Sequence, residues 1–205
     1  MKKIELLYLD MFLERSIDRA DRVGWIEVIC GSMFSGKTEE LIRRVKRAKL
    51  AKQKIKIFKP KKDLRYDKKK VISHDKNSIK SKPVSKPLKI IKLSEKFEVI
   101  GIDEAQFFDD SIVEVCNELA NSGKRVIVAG LDMDYMGKPF GPMPNLMAIA
   151  EYVTKVHAVC SKSGKMASYT DRIVDNDELI LLGDTRKYQA LSRKEFIKSN
   201  TPKKI

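Results

Sequence analysis

The sequence predicts an α/β protein, with a parallel sheet, flanking crossover helices and a small irregular or β subdomain after them. Short apolar runs alternate with longer amphipathic stretches from Trp25 onward, as in parallel sheets with crossover helices. A glycine-rich segment follows the first apolar run. The chain has 205 residues, 42% of them apolar, which is enough for one good-sized core.

Six strands and two helices can be placed along the chain. The predicted strands are WIEVIC (25–30), KIKIF (54–58), KIIKL (89–93), EVIGI (98–102), RVIVAG (125–130) and VTKVHAV (153–159). Apolar residues recur at intervals of three and four in two other stretches, which predicts amphipathic helices. These residues are Leu41, Ile42, Val45 and Ala48 after the glycine-rich segment, and Ile112, Val115, Cys116 and Leu119 near 111–121.

The chain divides into four predicted segments. Residues 1–22 form an N-terminal extension with helix-like apolar spacing, residues 23–159 the core, residues 160–191 the small subdomain and residues 192–205 a C-terminal tail. Within the core, residues 59–87 are polar, rich in lysine and interrupted by proline. This stretch is too long for an ordinary connection, so we expect a mobile lid or a disordered insertion.

Charge and cysteine content constrain the compartment and the partners. The net charge of +14 raises nucleic acid as a partner, but the lysines are spread over most segments, so we expect none. Three widely spaced cysteines argue against a disulfide framework and for the reducing cytoplasm. No apolar run approaches 18 residues, so we expect no membrane partner.

The segment GSMFSGKT (31–38) has the spacing G-x-x-x-x-G-K-[ST] and lies between a predicted strand and a predicted helix. Glycines let the backbone curl so that its N–H groups face phosphates, and Lys37 adds a positive charge near the β and γ phosphates. Thr38 offers a hydroxyl to Mg²⁺, and the helix adds its positive N-terminal end. The spacing therefore predicts a site for a nucleoside triphosphate.

A second element of a phosphate site follows the strand in VIGIDEAQFF. Asp103, at the carboxyl end of that strand, stands where an aspartate would hold the Mg²⁺ shell, usually through water. The next residue, Glu104, can take a proton from water in an ATPase or from a hydroxyl in a kinase. Physical reasoning from these residues leaves both reactions open.

In its motifs the chain resembles the type II thymidine kinases, compact cytosolic enzymes with a RecA-like core. The resemblance covers residues 25–188, which is most of the chain, and rests on five motifs in the same order. They are GSMFSGKT (31–38), KDLRY (62–66) with SHD (73–75), DEAQFF (103–108), GLDMDYMGKPFGP (130–142), and MASYTDR (166–172) with KYQ (187–189).

The resemblance implies transfer of the γ-phosphoryl group of ATP to the 5′-hydroxyl of thymidine, and of deoxyuridine, to give dTMP in pyrimidine salvage. It makes Glu104 the general base, while Lys37 steadies the phosphoryl group and Arg65 neutralises charge from the lid. Thr38 and Asp103 would serve Mg²⁺. The residues implied to hold ATP are Gly31, Ser32, Met33, Phe34, Ser35, Gly36, Lys37, Thr38, Asp103 and Gln106.

The resemblance also implies a pocket for the thymine base and a homotetramer. Much of the hydrogen bonding to the base would come from backbone groups of a closing loop. The residues implied to bind the nucleoside are Met33, Phe107, Leu131, Tyr135, Phe140, Thr170, Leu179, Leu181 and Tyr188.

One departure from the family pattern concerns a structural zinc site, for which the family carries two Cys-x-x-Cys or Cys-x-x-His pairs. Here the first pair keeps Cys160 but has Ser163 in the second position, and the second pair is replaced by Ser192 and Glu195. Serine hydroxyls are poor zinc ligands. We therefore expect no structural zinc, with a rearranged site that recruits His157 as the alternative.

Without zinc, the small subdomain needs another source of cohesion. We expect apolar packing to supply it, from Ile173, Leu179, Leu181 and Leu182.

Two other functions fit the phosphate site. A RecA-like ATPase acting on nucleic acid would use the same fold, but 205 residues leave no place for further motor elements. A nucleotide-binding regulator without catalysis is disfavoured because Lys37, Asp103 and Glu104 are all present.

Overall fold

The computed structural model describes residues 23–61, 70–72, 78–174 and 186–201. Its strands are β1 (Trp25–Cys30), β2 (Ile55–Pro60), β3 (Lys70–Ile72), β4 (Ser78–Lys80), β5 (Lys82–Val84), β6 (Val99–Ile102), β7 (Arg125–Gly130), β8 (Tyr152–Lys155), β9 (Ala158–Val159), β10 (Met166–Ala167), β11 (Tyr169–Arg172) and β12 (Tyr188–Leu191).

Six of these strands form the main sheet, in the order β5-β2-β6-β7-β1-β8, and every pairing in it is parallel. Three two-stranded antiparallel sheets accompany it: β3 with β4, β9 with β10, and β11 with β12. The predicted α/β class, with a parallel sheet and a small β subdomain, is confirmed. The order also places β7 between β1 and β6.

The helices are α1 (Lys37–Leu50), α2 (Lys89–Ser94), α3 (Ser111–Asn121), α4 (Met143–Ile149) and α5 (Arg193–Asn200), with a 3₁₀ turn at Ala105–Phe107. Both predicted helices are confirmed, with the expected residues buried. None of the helices within the described ranges is long and apolar enough to cross a membrane.

Two strand predictions need correction. KIIKL is not a strand but helix α2, which buries Ile90 and Ser94, four residues apart. A short apolar run cannot be assigned from periodicity alone, and here the amides of Lys89 and Ile90 already donate to carbonyls three residues earlier. The predicted strand at 153–159 divides into β8 and β9, which belong to different sheets.

The predicted lid and tail also contain regular structure. Residues 59–60 complete β2, and Lys82–Val84 forms β5 at the edge of the main sheet. Helix α5 occupies most of the predicted C-terminal tail. The N-terminal extension (1–22) and the central part of the lid (62–69 and 73–77) lie outside the described residues, so the role of a lid stays a prediction.

Helices cover both faces of the main sheet, and alternate residues of its strands point to opposite sides. In β7, Val126 and Val128 pack with α3 and α4, whereas Ile127 and Ala129 pack with α1. Burial on both faces explains the nearly continuous apolar runs of β1, β6 and β7.

A buried carboxylate, Glu27, lies in the middle of β1 and is 6% exposed. It accepts hydrogen bonds from Arg125 Nε at 2.6 Å, Arg44 Nη1 at 2.7 Å and Trp25 Nε1 at 2.7 Å. Burial alone would raise the pKa of Glu27, but the hydrogen bond and charge of Arg125, with Trp25 and Arg44, lower it below its ordinary value. This cluster ties β1 to β7 and α1.

Glu27→Gln should lower the free energy of unfolding at pH 7 by about 3–5 kcal/mol, because it leaves the Arg125 charge buried without its counter-ion. Since the folded-state pKa of Glu27 is lowered, its charge stabilises the protein fully above the unfolded-state pKa of about 4.3. That contribution is lost as the pH falls through the folded-state value. The deficit of the variant should therefore shrink below about pH 4, measured by urea unfolding across pH.

A suitable control is Glu118→Gln, at an exposed position on α3, which should stay within about 0.5 kcal/mol of wild type. A deficit of the same size at every pH would show that the Glu27 charge does not stabilise the fold.

The small subdomain has its own apolar core, which α5 covers. The Phe196 ring of α5 stacks on Tyr169 with centroids 4.5 Å apart. Ile173 is 50% exposed, so the prediction that it packs the subdomain is wrong, and Leu179, Leu181 and Leu182 lie outside the described residues. The buried residues of this core are Ala158, Cys160, Ala167, Tyr169, Ala190, Leu191 and Phe196.

Phe196→Ala should destabilise the subdomain by about 3–5 kcal/mol, because it removes a buried ring and leaves a cavity against Tyr169. Hydrogen exchange of peptides from β9 to β12 measures this directly. Ile197→Ala, at a neighbouring position that is 56% exposed, should change exchange little. Equal protection in the two variants would contradict the packing role of α5.

Candidate active site

Three loops meet at one edge of the main sheet. Because β1, β6 and β7 are parallel, their carboxyl ends lie at the same edge, and β7 is paired with both neighbours. The loops that leave these strands are residues 31–38, 103–108 and 131–140. This is the edge at which open α/β sheets bind ligands.

The phosphate loop depends on its two glycines. A Cβ atom at position 31 would lie 2.2 Å from the Val156 carbonyl oxygen, so only glycine fits there. Gly36 has φ +84° and immediately precedes α1. Lys37 Nζ donates to the Ser32 carbonyl at 2.6 Å, which holds the ammonium group over the loop. Loop amides, this cation and the N-terminus of α1 together suit a polyphosphate.

The two carboxylates after β6 differ in environment. Asp103 is 6% exposed, and its amide donates to the Phe58 carbonyl at 3.0 Å. Glu104 has φ +54°, an uncommon backbone conformation for a residue with a side chain. Such outliers cluster at functional sites, where the surroundings hold them in place.

Gln106 provides part of that support. Its Nε2 donates to Glu104 Oε2 at 2.6 Å, and its Oε1 accepts from the Leu131 amide at 3.0 Å. The side chain of Gln106 is buried and so connects the strand end carrying Glu104 to the end of β7. Its predicted contact with ATP stays a prediction, whereas this contact with Glu104 was not foreseen.

The residues expected to serve Mg²⁺ have suitable chemistry. Thr38 lies in the first turn of α1 and Asp103 directly after β6, so a hydroxyl and a carboxylate oxygen are both at the phosphate edge. Mg²⁺ prefers oxygen ligands and usually takes only one or two from protein, with phosphates and water completing its shell. No group of three or more His, Cys, Asp or Glu side chains could hold a metal ion in the described ranges.

Six of the predicted base-pocket residues belong to one apolar cluster beside the phosphate loop. Phe107 and Phe140 meet edge to face, with ring centroids 5.8 Å apart. Thr170 Oγ1 accepts from the Met33 amide at 3.0 Å, so it holds the phosphate loop next to this cluster. Met33, Leu131, Phe140 and Tyr188 are buried in it, and Phe34, Phe107 and Tyr135 pack against them.

Three predicted site residues, Arg65, Leu179 and Leu181, lie outside the described residues.

Two charged residues at the site were missed by sequence reasoning. Asp132, the residue after Leu131, is 4% exposed, and its Oδ2 lies 2.7 Å from Lys155 Nζ. Arg172 contacts two of the predicted pocket residues, Tyr135 and Tyr188. The sequence could have indicated Arg172, because side chains two residues apart on a strand lie on the same face, and Thr170 was already a predicted pocket residue.

The residues at the four family zinc positions do not fit a structural zinc. Burial alone would raise the pKa of the Cys160 thiol, but hydrogen bonds from the Ser163 hydroxyl and from the amides of Ser192, Lys162 and Ser163 lower it to about 6. The Ser192 hydroxyl instead caps α5, accepting from the Glu195 amide at 3.4 Å. The four positions therefore offer one cysteine sulfur, which already accepts hydrogen bonds, whereas a tetrahedral zinc site needs four ligands.

Glu195 and His157 do not complete such a site. The Glu195 carboxylate lies 3.1 Å from Lys198 Nζ, and His157 is exposed with its Nδ1 3.2 Å from Ser168 Oγ.

We predict that purified, untagged protein contains no stoichiometric zinc by elemental analysis after dialysis against a chelator. The matched variant Ser163→Cys/Ser192→Cys/Glu195→Cys, which restores four thiols, should take up one zinc per chain under the same conditions. Stoichiometric zinc retained by the wild-type protein would contradict the prediction.

The family model for thymidine kinase matches residues 24–196. The chain is 55% identical over 189 residues to a thymidine kinase from Bacteroides thetaiotaomicron, covering 92% of this chain and 95% of that protein. It is 57% identical over 183 residues to one from Bacteroides fragilis, covering 89% and 92%, and 54% identical over 194 residues to one from Porphyromonas gingivalis, covering 95% of each.

Among solved structures, domain III of the Thermotoga maritima replication initiation protein DnaA aligns with a TM-score of 0.41 at 15% identity. The alignment covers 64% of this chain and 54% of that chain. The family match and the three relatives instead cover most of the chain, including the loops that form the site. This chain belongs to the thymidine kinase family.

Proposed function

We propose that this protein transfers the γ-phosphoryl group of ATP to the 5′-hydroxyl of thymidine, and of deoxyuridine. The observation that carries the proposal is the position of Glu104. It follows β6 at the sheet edge from which the phosphate loop also leaves, three residues before Phe107 of the apolar cluster, and Gln106 donates a hydrogen bond to its carboxylate. The relatives named thymidine kinase support the choice of nucleoside.

ATP would bind with its phosphates on the loop at residues 31–38. The loop amides and the N-terminus of α1 bind the phosphate oxygens, and Lys37 neutralises charge on the transferred group. Bound Mg²⁺, held by Thr38 and Asp103, would neutralise further charge on the β and γ phosphates. In this proposal Arg65 adds a positive charge from the lid.

Glu104 acts as the general base. As the 5′-oxygen of the nucleoside bonds to the γ-phosphorus, the bond from that phosphorus to the β-phosphate oxygen breaks and ADP leaves. The proton of the 5′-hydroxyl passes to the Glu104 carboxylate. The transition state is loose, so the hydrogen bond from Gln106 contributes by holding that carboxylate in position.

The nucleoside base would lie in the apolar cluster. The cluster offers apolar and aromatic surfaces to a planar pyrimidine, and backbone groups near Leu179 and Leu181 would supply hydrogen bonds to its edge. We propose further that the enzyme works in the cytoplasm as a homotetramer. The three cysteines are free thiols, which suits a reducing compartment.

The test is an assay of ATP-dependent phosphorylation across thymidine, deoxyuridine, deoxycytidine, deoxyadenosine and deoxyguanosine. We expect nucleoside monophosphate from thymidine and deoxyuridine, with one ADP formed for each. ATP hydrolysis that needs no nucleoside and rises with added DNA would support a nucleic-acid-dependent ATPase instead and refute the proposal.

Glu104→Gln should lower kcat by a factor of about 10² to 10⁴, the scale for loss of a general base, and leave ATP binding close to intact. Turnover measured with saturating thymidine, together with calorimetric ATP binding, separates the two effects. The control is Glu114→Gln, at an exposed position on α3. Wild-type turnover in Glu104→Gln would exclude the base role.

A further inference from the structure

Arg172 joins two aromatic side chains of the apolar cluster. Its guanidinium carbon lies 3.6 Å from the centroid of the Tyr135 ring, and its Nη2 donates to Tyr188 Oη at 3.1 Å. It also lies 5.5 Å from the centroid of the Tyr188 ring, and the two residues face each other across β11 and β12. Tyr135 belongs to the loop at 131–140, so one side chain connects the loop to the small subdomain.

The side chains of β11, the strand that carries Arg172, make different contacts on the two faces of the strand. Thr170 and Arg172, two residues apart, share one side of β11, where Thr170 accepts from the Met33 amide. Asp171 points the other way, and its Oδ2 accepts from Gln189 Nε2 at 2.8 Å and Ser199 Oγ at 3.2 Å. One face of β11 therefore holds both the phosphate loop and the two tyrosines.

The backbone of the loop at 131–140 has separate support. Asp134 Oδ1 accepts from the amides of Met136 at 2.8 Å and Lys138 at 2.9 Å. These bonds hold the turn but make no contact that fixes the ring of Tyr135. The planar guanidinium of Arg172, 3.6 Å from the centroid of the Tyr135 ring, does restrict that ring. Because the same guanidinium donates to Tyr188 Oη, it also sets the distance between the two tyrosine side chains.

We propose that Arg172 is a positioning residue for the nucleoside base. It holds the rings of Tyr135 and Tyr188 as one rigid wall of the base pocket, without itself contacting the reacting atoms. The inference rests on the proposed function, because the ligand of this pocket is the nucleoside. Removing the guanidinium frees the two rings, so thymidine binding weakens while the ATP side of the site is unaffected.

The test compares Arg172→Ala with Arg172→Lys and with a matched control. Arg193→Ala is the control because its guanidinium also lies over a tyrosine ring of the small subdomain, 5.0 Å from Tyr169, but outside the pocket cluster. The measurements are KM for thymidine, KM for ATP, kcat, calorimetric Kd for thymidine, and Tm without ligand.

We expect Arg172→Ala to raise KM and Kd for thymidine on the order of tenfold, the scale of a partly buried cation–π contact. KM for ATP should stay near wild type. Arg172→Lys keeps the charge but not the planar stack, so it should recover only part of the loss. Arg193→Ala should leave both thymidine constants unchanged.

A double-mutant cycle tests whether Arg172 acts through Tyr135. If it does, Arg172→Ala should cost much less in thymidine affinity when Tyr135 is already alanine. Additive losses would overturn the proposal, and so would a fall in Tm with equal rises in both KM values, which indicates a purely structural role.

The proposed function can fail independently of the role of Arg172. It fails if the wild-type protein phosphorylates another nucleoside in place of thymidine. In that case the same variants, measured with that nucleoside, decide whether Arg172 positions the wall. A wild-type protein that binds no nucleoside overturns both.

Discussion

The site depends on the parallel, in-register pairing of β1, β7 and β6. Cys30 is opposite Gly130 and Ile102 is opposite Val128, so the phosphate loop, the carboxylates and the pocket loop start at nearly the same level of one sheet edge. Further from that edge, the buried Glu27 in the middle of β1 binds Arg125, the first residue of β7. Because that carboxylate is buried, a shift of either strand would leave a charge without its partner.

The backbone conformation of the proposed general base, Glu104, costs free energy locally. The left-handed backbone of Glu104 costs about 1–3 kcal/mol relative to an ordinary conformation, and Gln106 is one contact that holds it. Gln106 also accepts from the Leu131 amide, the first residue beyond β7. The proposed general base and the pocket loop are thus joined by the side chain of Gln106.

Much of the fold was predictable because its signals are local. The glycine and lysine spacing at 31–38 and the apolar runs of β1, β6 and β7 led directly to the phosphate edge. KIIKL was assigned wrongly because five residues cannot show a helical period. The cluster of Met33, Leu131, Phe140 and Tyr188 was expected from the resemblance alone, and Arg172 was missed because its contacts join distant parts of the chain. Ile173 was expected to fill the core of the small subdomain because helix α5 was not predicted from the sequence. In the structure Phe196 of that helix fills the core, and Ile173 is exposed.

The most direct test of the account is a crystal structure with a bisubstrate analogue in which thymidine and adenosine are joined through phosphates. We expect phosphates along residues 31–38 and the thymine ring against Met33, Leu131 and Phe140. The thymidine 5′-oxygen should lie within hydrogen-bond distance of the Glu104 carboxylate. Thymine bound outside this cluster, or a 5′-oxygen beyond the reach of Glu104, would contradict this expectation.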